Sequence, residues 1–130
     1  MTPLLSLVVY MTLLTFVAIM LGAFLRNREW TAEGLKAGLS NRDQIPEATP
    51  LGGRAERTAS NTIEALLLFV PLALVAQLAG SAEAVMTGAT IFIGARVAYV
   101  PIYIVGIPYL RSLVWAVGIA GLTMMVMPLL

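Results

Sequence analysis

The chain has 130 residues, of which 59% are hydrophobic and only 12% charged, with a net charge of +1. An ordinary soluble domain carries roughly a quarter charged residues, so this chain lacks the polar surface to cover itself, and its near-neutral balance offers no field for nucleic acid or an acidic substrate. It has neither Cys nor His, which excludes a disulfide framework, a thiolate metal site and a cysteine nucleophile, and removes the commonest metal ligand and general base; no metal is expected.

From Leu4 to Leu25 no residue is charged, and the stretch has the roughly 20 residues that cross a hydrocarbon core. No Lys or Arg precedes Arg26, so it is expected to be a retained span rather than a cleaved leader, which would open with a basic region. Residues 26–54 form the one long polar segment, with Arg28, Glu29, Lys36, Arg42, Asp43, Pro46, Glu47, Pro50, Gly52 and Gly53. They predict a loop containing a short interfacial helix around Trp30 to Leu39, with Trp30 as an anchor in the headgroup layer. A second spanning helix is expected from about Glu56 to Ala79, broken at Gly80-Ser81 and followed by a third over 82–105. Gly106 to Pro108 breaks the chain again, and a fourth helix is expected over 109–130. Pro71 and Pro101 fall inside helices, where the missing amide donor is tolerated if neighbours repair the exposed carbonyl. The fold predicted is a single all-α membrane domain, a bundle of four helices packed closely through small residues such as Gly88, Gly94, Gly118 and Gly121.

Basic residues near the membrane ends set the orientation. Arg26, Arg28, Lys36, Arg42 and Arg54 lie in the first loop and Arg111 follows the third, whereas the second connection and both termini carry no Lys or Arg. The positive-inside rule then makes loops one and three cytoplasmic and puts both termini on the opposite side.

Arg57, Glu64 and Arg96 are ionisable residues at or near membrane depth. Each costs about 2.5 to 3.5 kcal/mol on insertion scales unless it faces protein or a wet cavity. Arg57, Asn61 and Glu64 recur at i, i+4 and i+7, one polar stripe within an arc of roughly 60°. Arg96, Tyr99 and Tyr103 repeat the pattern on the next, antiparallel helix, and an ion pair between Glu64 and Arg96 is the economical expectation. Two readings stay open on spacing alone. The groups satisfy one another and only fix helix packing, or they floor a polar cavity open to the cytoplasm. Arg111 and Ser112 open the fourth helix, where free amides, dipole and guanidinium favour an oxyanion or thiolate.

The run Arg57-Thr-Ala-Ser-Asn61-Thr-Ile-Glu64, then Ala95-Arg96-Val-Ala-Tyr99-Val-Pro-Ile-Tyr103, then Arg111-Ser112, resembles the MAPEG family, the membrane-associated proteins in eicosanoid and glutathione metabolism. The resemblance covers about Arg54 to Trp115, and the four-helix layout the whole chain, as in a divergent, bacterial-type member. It implies a homotrimer with sites between subunits near the cytoplasmic helix ends, binding glutathione as cosubstrate. It implies a glutathione transferase or peroxidase type of activity on lipophilic electrophiles or hydroperoxides that enter from the bilayer. Carried over by position, Arg57, Asn61, Glu64, Arg96, Tyr99 and Tyr103 would contact glutathione, and Arg111 with Ser112 would stabilise its thiolate. Two positions depart from the family's pattern. Ser60 stands where many members have a basic residue and Tyr99 where several have His, and each lost cation weakens recognition of the glutathione carboxylates.

Independently of the family, a cation at a helix N-terminus lowers a nearby thiol pKa from its ordinary value of about 8.5. A bound thiol could therefore supply the nucleophile that this chain lacks. The alternatives are a non-catalytic membrane scaffold, in which the buried charges are structural, and a small multidrug-type transporter, which needs a freely titrating Glu64.

Overall fold

The computed structural model describes residues 1–130, folded as α1 (Pro3–Asn27), α2 (Ala32–Leu39), α3 (Pro50–Leu78), α4 (Ala82–Val105) and α5 (Pro108–Val126), with a closing 3-10 turn at Met127–Leu129. Four of these helices are long and apolar enough to cross a membrane, with mean hydropathies between 1.6 and 2.5 over their spanning windows. They are the four expected spans. The eight-residue helix α2 is the short helix expected inside the first loop.

Caps mark where the helices begin. The side chains of Thr2, Thr31 and Thr49 accept from the amides of Leu5, Gly34 and Gly52, satisfying donors that the first turn leaves free. Thr49 is followed by Pro50 at the first helical position, where proline's fixed φ suits the helix and its missing amide is not needed. The expected start near Glu56 is therefore corrected to Pro50, and the polar loop is shorter than 26–54. Gly52 and Gly53, read as breakers, lie instead in the first turns of α3 and are buried. A Cβ on Gly52 would stand 3.0 Å from the Leu25 carbonyl oxygen, so glycine is there because α3 begins against the end of α1.

Helix α1 packs along α3 and α4 along α5, and the two pairs meet chiefly through α3 and α4. Small residues set both close approaches. A Cβ on Gly88 would lie 2.6 Å from the Gly121 carbonyl oxygen, and one on Gly22 3.0 Å from the Ala59 Cβ. Phe69 and Phe92 stack with centroids 5.1 Å apart inside a core of Leu4, Met11, Ala73, Ala76, Val85 and Met125. Only 29 of the 130 residues are buried within the chain. Large apolar side chains such as Phe16, Leu67, Leu113 and Trp115 are exposed, far more apolar surface than a monomer in water tolerates. Lipid and neighbouring protein are what can cover it. The result is an all-helical, multi-pass membrane fold.

Candidate functional site

The polar stripes of α3 and α4 do face each other, at the end of the bundle where α3 begins and α4 gives way to α5. Arg96 is 3% exposed. Its Nη1 donates to Asn61 Oδ1 at 2.9 Å and its Nη2 to Thr62 Oγ1 at 3.1 Å, while Nε has no partner. The Thr62 hydroxyl in turn donates to the Thr58 carbonyl at 2.7 Å, so one buried hydroxyl accepts from a cation and donates to the backbone. Arg96 also stacks over the Tyr99 ring at 4.1 Å. Tyr99 meets Tyr103 edge to face with centroids 5.5 Å apart, and Arg111 caps the ladder 4.8 Å over the Tyr103 ring. The i, i+3, i+7 spacing on α4, closed by Arg111 from α5, thus produces a column of two rings bracketed by two cations, each cation held by the face of the ring beside it.

The expected Glu64–Arg96 ion pair does not form. The one ion pair within 4.0 Å joins Arg26 and Glu56, at 3.5 Å. Helix rotation explains the difference. Asn61 and Thr62 project about 100° apart, while Glu64 points roughly 160° from Thr62. A guanidinium seated between Asn61 and Thr62 is turned away from Glu64, which stays exposed on the single chain.

Two separate cavities take the place of the single polar pocket expected from the stripes. The deeper, of about 220 Å³, is lined by Asn61, Glu64 and Arg96 with Phe92, Trp115 and Gly118 among its walls. The second, of about 240 Å³, lies nearer the start of α3 and is lined by Arg54, Arg57, Tyr103, Gly106, Ile107, Pro108 and Arg111. There Arg57 Nε donates to Tyr103 Oη at 3.1 Å. Tyr99, 1% exposed, lines neither cavity and serves as the packed rung between them. Ser112 also lines neither, and its hydroxyl donates to the Pro108 carbonyl at 3.3 Å. Of the expected pair, only Arg111 joins the other site residues.

Below the deeper cavity, Leu68, Ile119 and Leu122 also line an apolar groove between α3 and α5 that continues past Pro71 and Leu72 to Val126. The cavity that holds Asn61, Glu64 and Arg96 therefore shares an apolar wall with a greasy groove along the outer face of the bundle.

Three residues of this site escaped the sequence reading. Arg54 looked like a loop charge, although it extends the stripe of Arg57, Asn61 and Glu64 by one turn at i−3. Thr62, between Asn61 and Ile63, and Trp115, in the apolar run of the last helix, were given no role. Only the first left a periodicity signal.

A multi-pass helical membrane protein with an arginine-lined cleft, a deeper polar cavity and an adjoining apolar groove is the class that fold and site define. The model of the MAPEG family matches residues 3–130. The chain belongs to the MAPEG family, whose members are membrane proteins of eicosanoid and glutathione metabolism. Neither curated proteins nor solved structures give a match.

Proposed function

We propose that the chain is a glutathione-dependent membrane enzyme of transferase or peroxidase type, acting on lipophilic electrophiles or hydroperoxides. The observation that carries the reading is that a cavity with polar groups and an apolar groove lie side by side. The cavity of Asn61, Glu64 and Arg96 shares Leu68, Ile119 and Leu122 with the groove between α3 and α5. A water-soluble tripeptide and a membrane-soluble partner could meet there without either leaving its own medium.

In this reading Arg57, Asn61, Glu64, Arg96 and Tyr103 hold glutathione, with Tyr99 backing Arg96 from behind. Glu64, which has no ion-pair partner in the chain, suits the peptide's ammonium group. Arg111, above the Tyr103 ring in the first turn of α5, favours the thiolate over the thiol. Ser112 donates to that thiolate once its hydroxyl turns away from the Pro108 carbonyl. The thiolate sulfur then attacks an electrophilic carbon of the lipophile to form a thioether, while the bond from that carbon to its leaving group, a halide for example, breaks and the group departs with the electron pair. With a hydroperoxide it attacks the distal oxygen and releases the alcohol, and a second glutathione takes the sulfenic acid to the disulfide.

The exposed apolar faces and exposed Glu64 support assembly as a homotrimer that covers the sites between copies. The charge bias supports a membrane orientation with loops one and three in the cytoplasm and both termini opposite. Isothermal titration of the purified protein with glutathione, followed by conjugation of a generic electrophile, tests the enzyme reading. No heat of binding at millimolar glutathione would sink it.

The unpaired state of Glu64 is the one observation that favours transport instead. Proton-coupled dye efflux abolished by Glu64→Gln would establish that reading.

A further inference from the structure

The cleft at the start of α3 concentrates positive charge without a counterion. Arg54, Arg57 and Arg111 all line it, no carboxylate does, and the one ion pair of the chain, Arg26 with Glu56, lies elsewhere. Arg54 and Arg57 are held in the same manner. Each uses its Nε on the end of α4, Arg54 on the Ile104 carbonyl at 2.9 Å and Arg57 on the Tyr103 hydroxyl at 3.1 Å. Neither has any other side-chain hydrogen bond, so both keep Nη1 and Nη2 free. A guanidinium anchored through Nε presents that pair as a planar fork, the geometry that accepts a carboxylate.

Gly106 makes room for the first fork. Its φ is +92°, and a Cβ there would lie 2.9 Å from Arg54 Nε and 3.0 Å from Cζ. Part of the role of Arg54 is structural, because a cation on the last carbonyls of α4 is favourable at a helix C-terminus. That role accounts for Nε. It leaves Nη1 and Nη2 available to water or to a ligand oxyanion, beside a second fork and a third cation.

We propose that Arg54 is a specificity-determining residue of the thiol site, forming with Arg57 a clamp for one carboxylate of the cosubstrate; the proposal rests on the glutathione reading. The position of Glu64 decides which carboxylate. It lies about 15 Å from Arg54 along α3, at 1.5 Å per residue, and is the acidic residue of the deeper cavity. The ammonium of glutathione goes to Glu64 and its neighbouring α-carboxylate goes with it, away from three cations that repel the ammonium. The glycyl carboxylate, at the far end of the tripeptide, occupies the clamp. The site therefore selects thiols with a free acid remote from their amino group and discriminates against the same thiol with that acid esterified.

The test is titration calorimetry of the intact protein in lipid nanodiscs with glutathione and with its glycyl monoethyl ester. Wild type binds glutathione at least tenfold more tightly than the ester. Arg54→Gln weakens glutathione binding roughly tenfold to a hundredfold, the range for a hydrogen-bonded charge, and leaves the ester's Kd unchanged, so the discrimination collapses. Arg54→Lys, which keeps the cation near the end of α4 but lacks the fork, falls between and serves as the readout if the glutamine variant fails to assemble. Equal weakening of acid and ester overturns the clamp in favour of a purely structural Arg54, as does an unchanged Kd for both. Wild type that binds neither thiol refutes the glutathione reading itself, an outcome visible before any variant is made.

Discussion

Thr62→Val probes what holds the buried guanidinium of Arg96. Valine nearly matches threonine in shape, so the substitution at this fully buried position opens no cavity and removes only the hydroxyl. Two bonds go with it, the acceptor for Arg96 Nη2 at 3.1 Å and the bond to the Thr58 carbonyl at 2.7 Å. The second is a local back-bond of small value. Thr90 makes the same bond to Met86 at 2.9 Å from an exposed position, and its hydroxyl accepts from no cation, so Thr90→Val measures that part separately and is expected to cost less than about 0.5 kcal/mol. Neutral hydrogen bonds between membrane helices average about 0.6 kcal/mol. The bond from Arg96 is expected to exceed that, because Nε already has no partner and losing a second acceptor leaves more of a buried charge unsatisfied. About 1.5 to 3 kcal/mol is the expectation for a bond to a charged group. Reversible unfolding in mixed detergent and SDS micelles, followed by helical circular dichroism, reads the difference. In an Arg96→Met background the cost of Thr62→Val should fall to that of Thr90→Val. If Thr62→Val and Thr90→Val cost the same in the wild-type background, the hydrogen bond does not anchor Arg96 and the network reasoning is wrong.

Other expectations follow from the same geometry. Tyr103→Phe removes the acceptor that orients Arg57 but keeps the ring beneath Arg111, so glutathione binding should weaken severalfold, by about 0.5 to 1.5 kcal/mol, with the pH profile of conjugation unmoved. Arg111→Leu should do the reverse, moving the pH midpoint of the rate upward toward the ordinary thiol value of about 8.5; an unmoved midpoint would show that Arg111 has no part in forming the thiolate. Gly121→Ala places a methyl 2.8 Å from the Gly88 carbonyl oxygen and from the Phe92 amide. A loss of about 1 to 3 kcal/mol is expected from overpacking between α4 and α5, seen as a lower midpoint in the same unfolding assay. Because the chain has no cysteine, single Ser40→Cys and Ala79→Cys variants report sidedness through a membrane-impermeant maleimide. Ser40→Cys should react only from the cytoplasmic face and Ala79→Cys only from the other.

Much of the bundle is already written in the order of residues. The spans were legible because a hydrocarbon solvent leaves a helix no alternative, so runs such as Leu4 to Leu25 declare themselves by length and lack of charge. The polar stripes were legible for the same reason, since a charge at that depth must face protein or a cavity. Even the start of α3 was present as Thr49-Pro50, although Gly52 and Gly53 disguised it. A glycine pair reads as a break until the neighbouring helix that needs the space is in view.

What the tertiary structure alone decided is which polar group meets which. Spacing along α3 and α4 could not distinguish Glu64 from Asn61 and Thr62 as the partner of Arg96, because a rotation of α3 by a fraction of a turn exchanges them. The close packing of Gly22, Ala55 and Ala59 between α1 and α3 holds α3 at one rotation. At that rotation Arg96 binds two neutral oxygens through Nη1 and Nη2, Glu64 remains without an ion-pair partner, and Arg54 enters the arginine cleft. Hydropathy is a property of each residue in its solvent and can be read singly, whereas pairing depends on helix rotation, which only the assembled core sets.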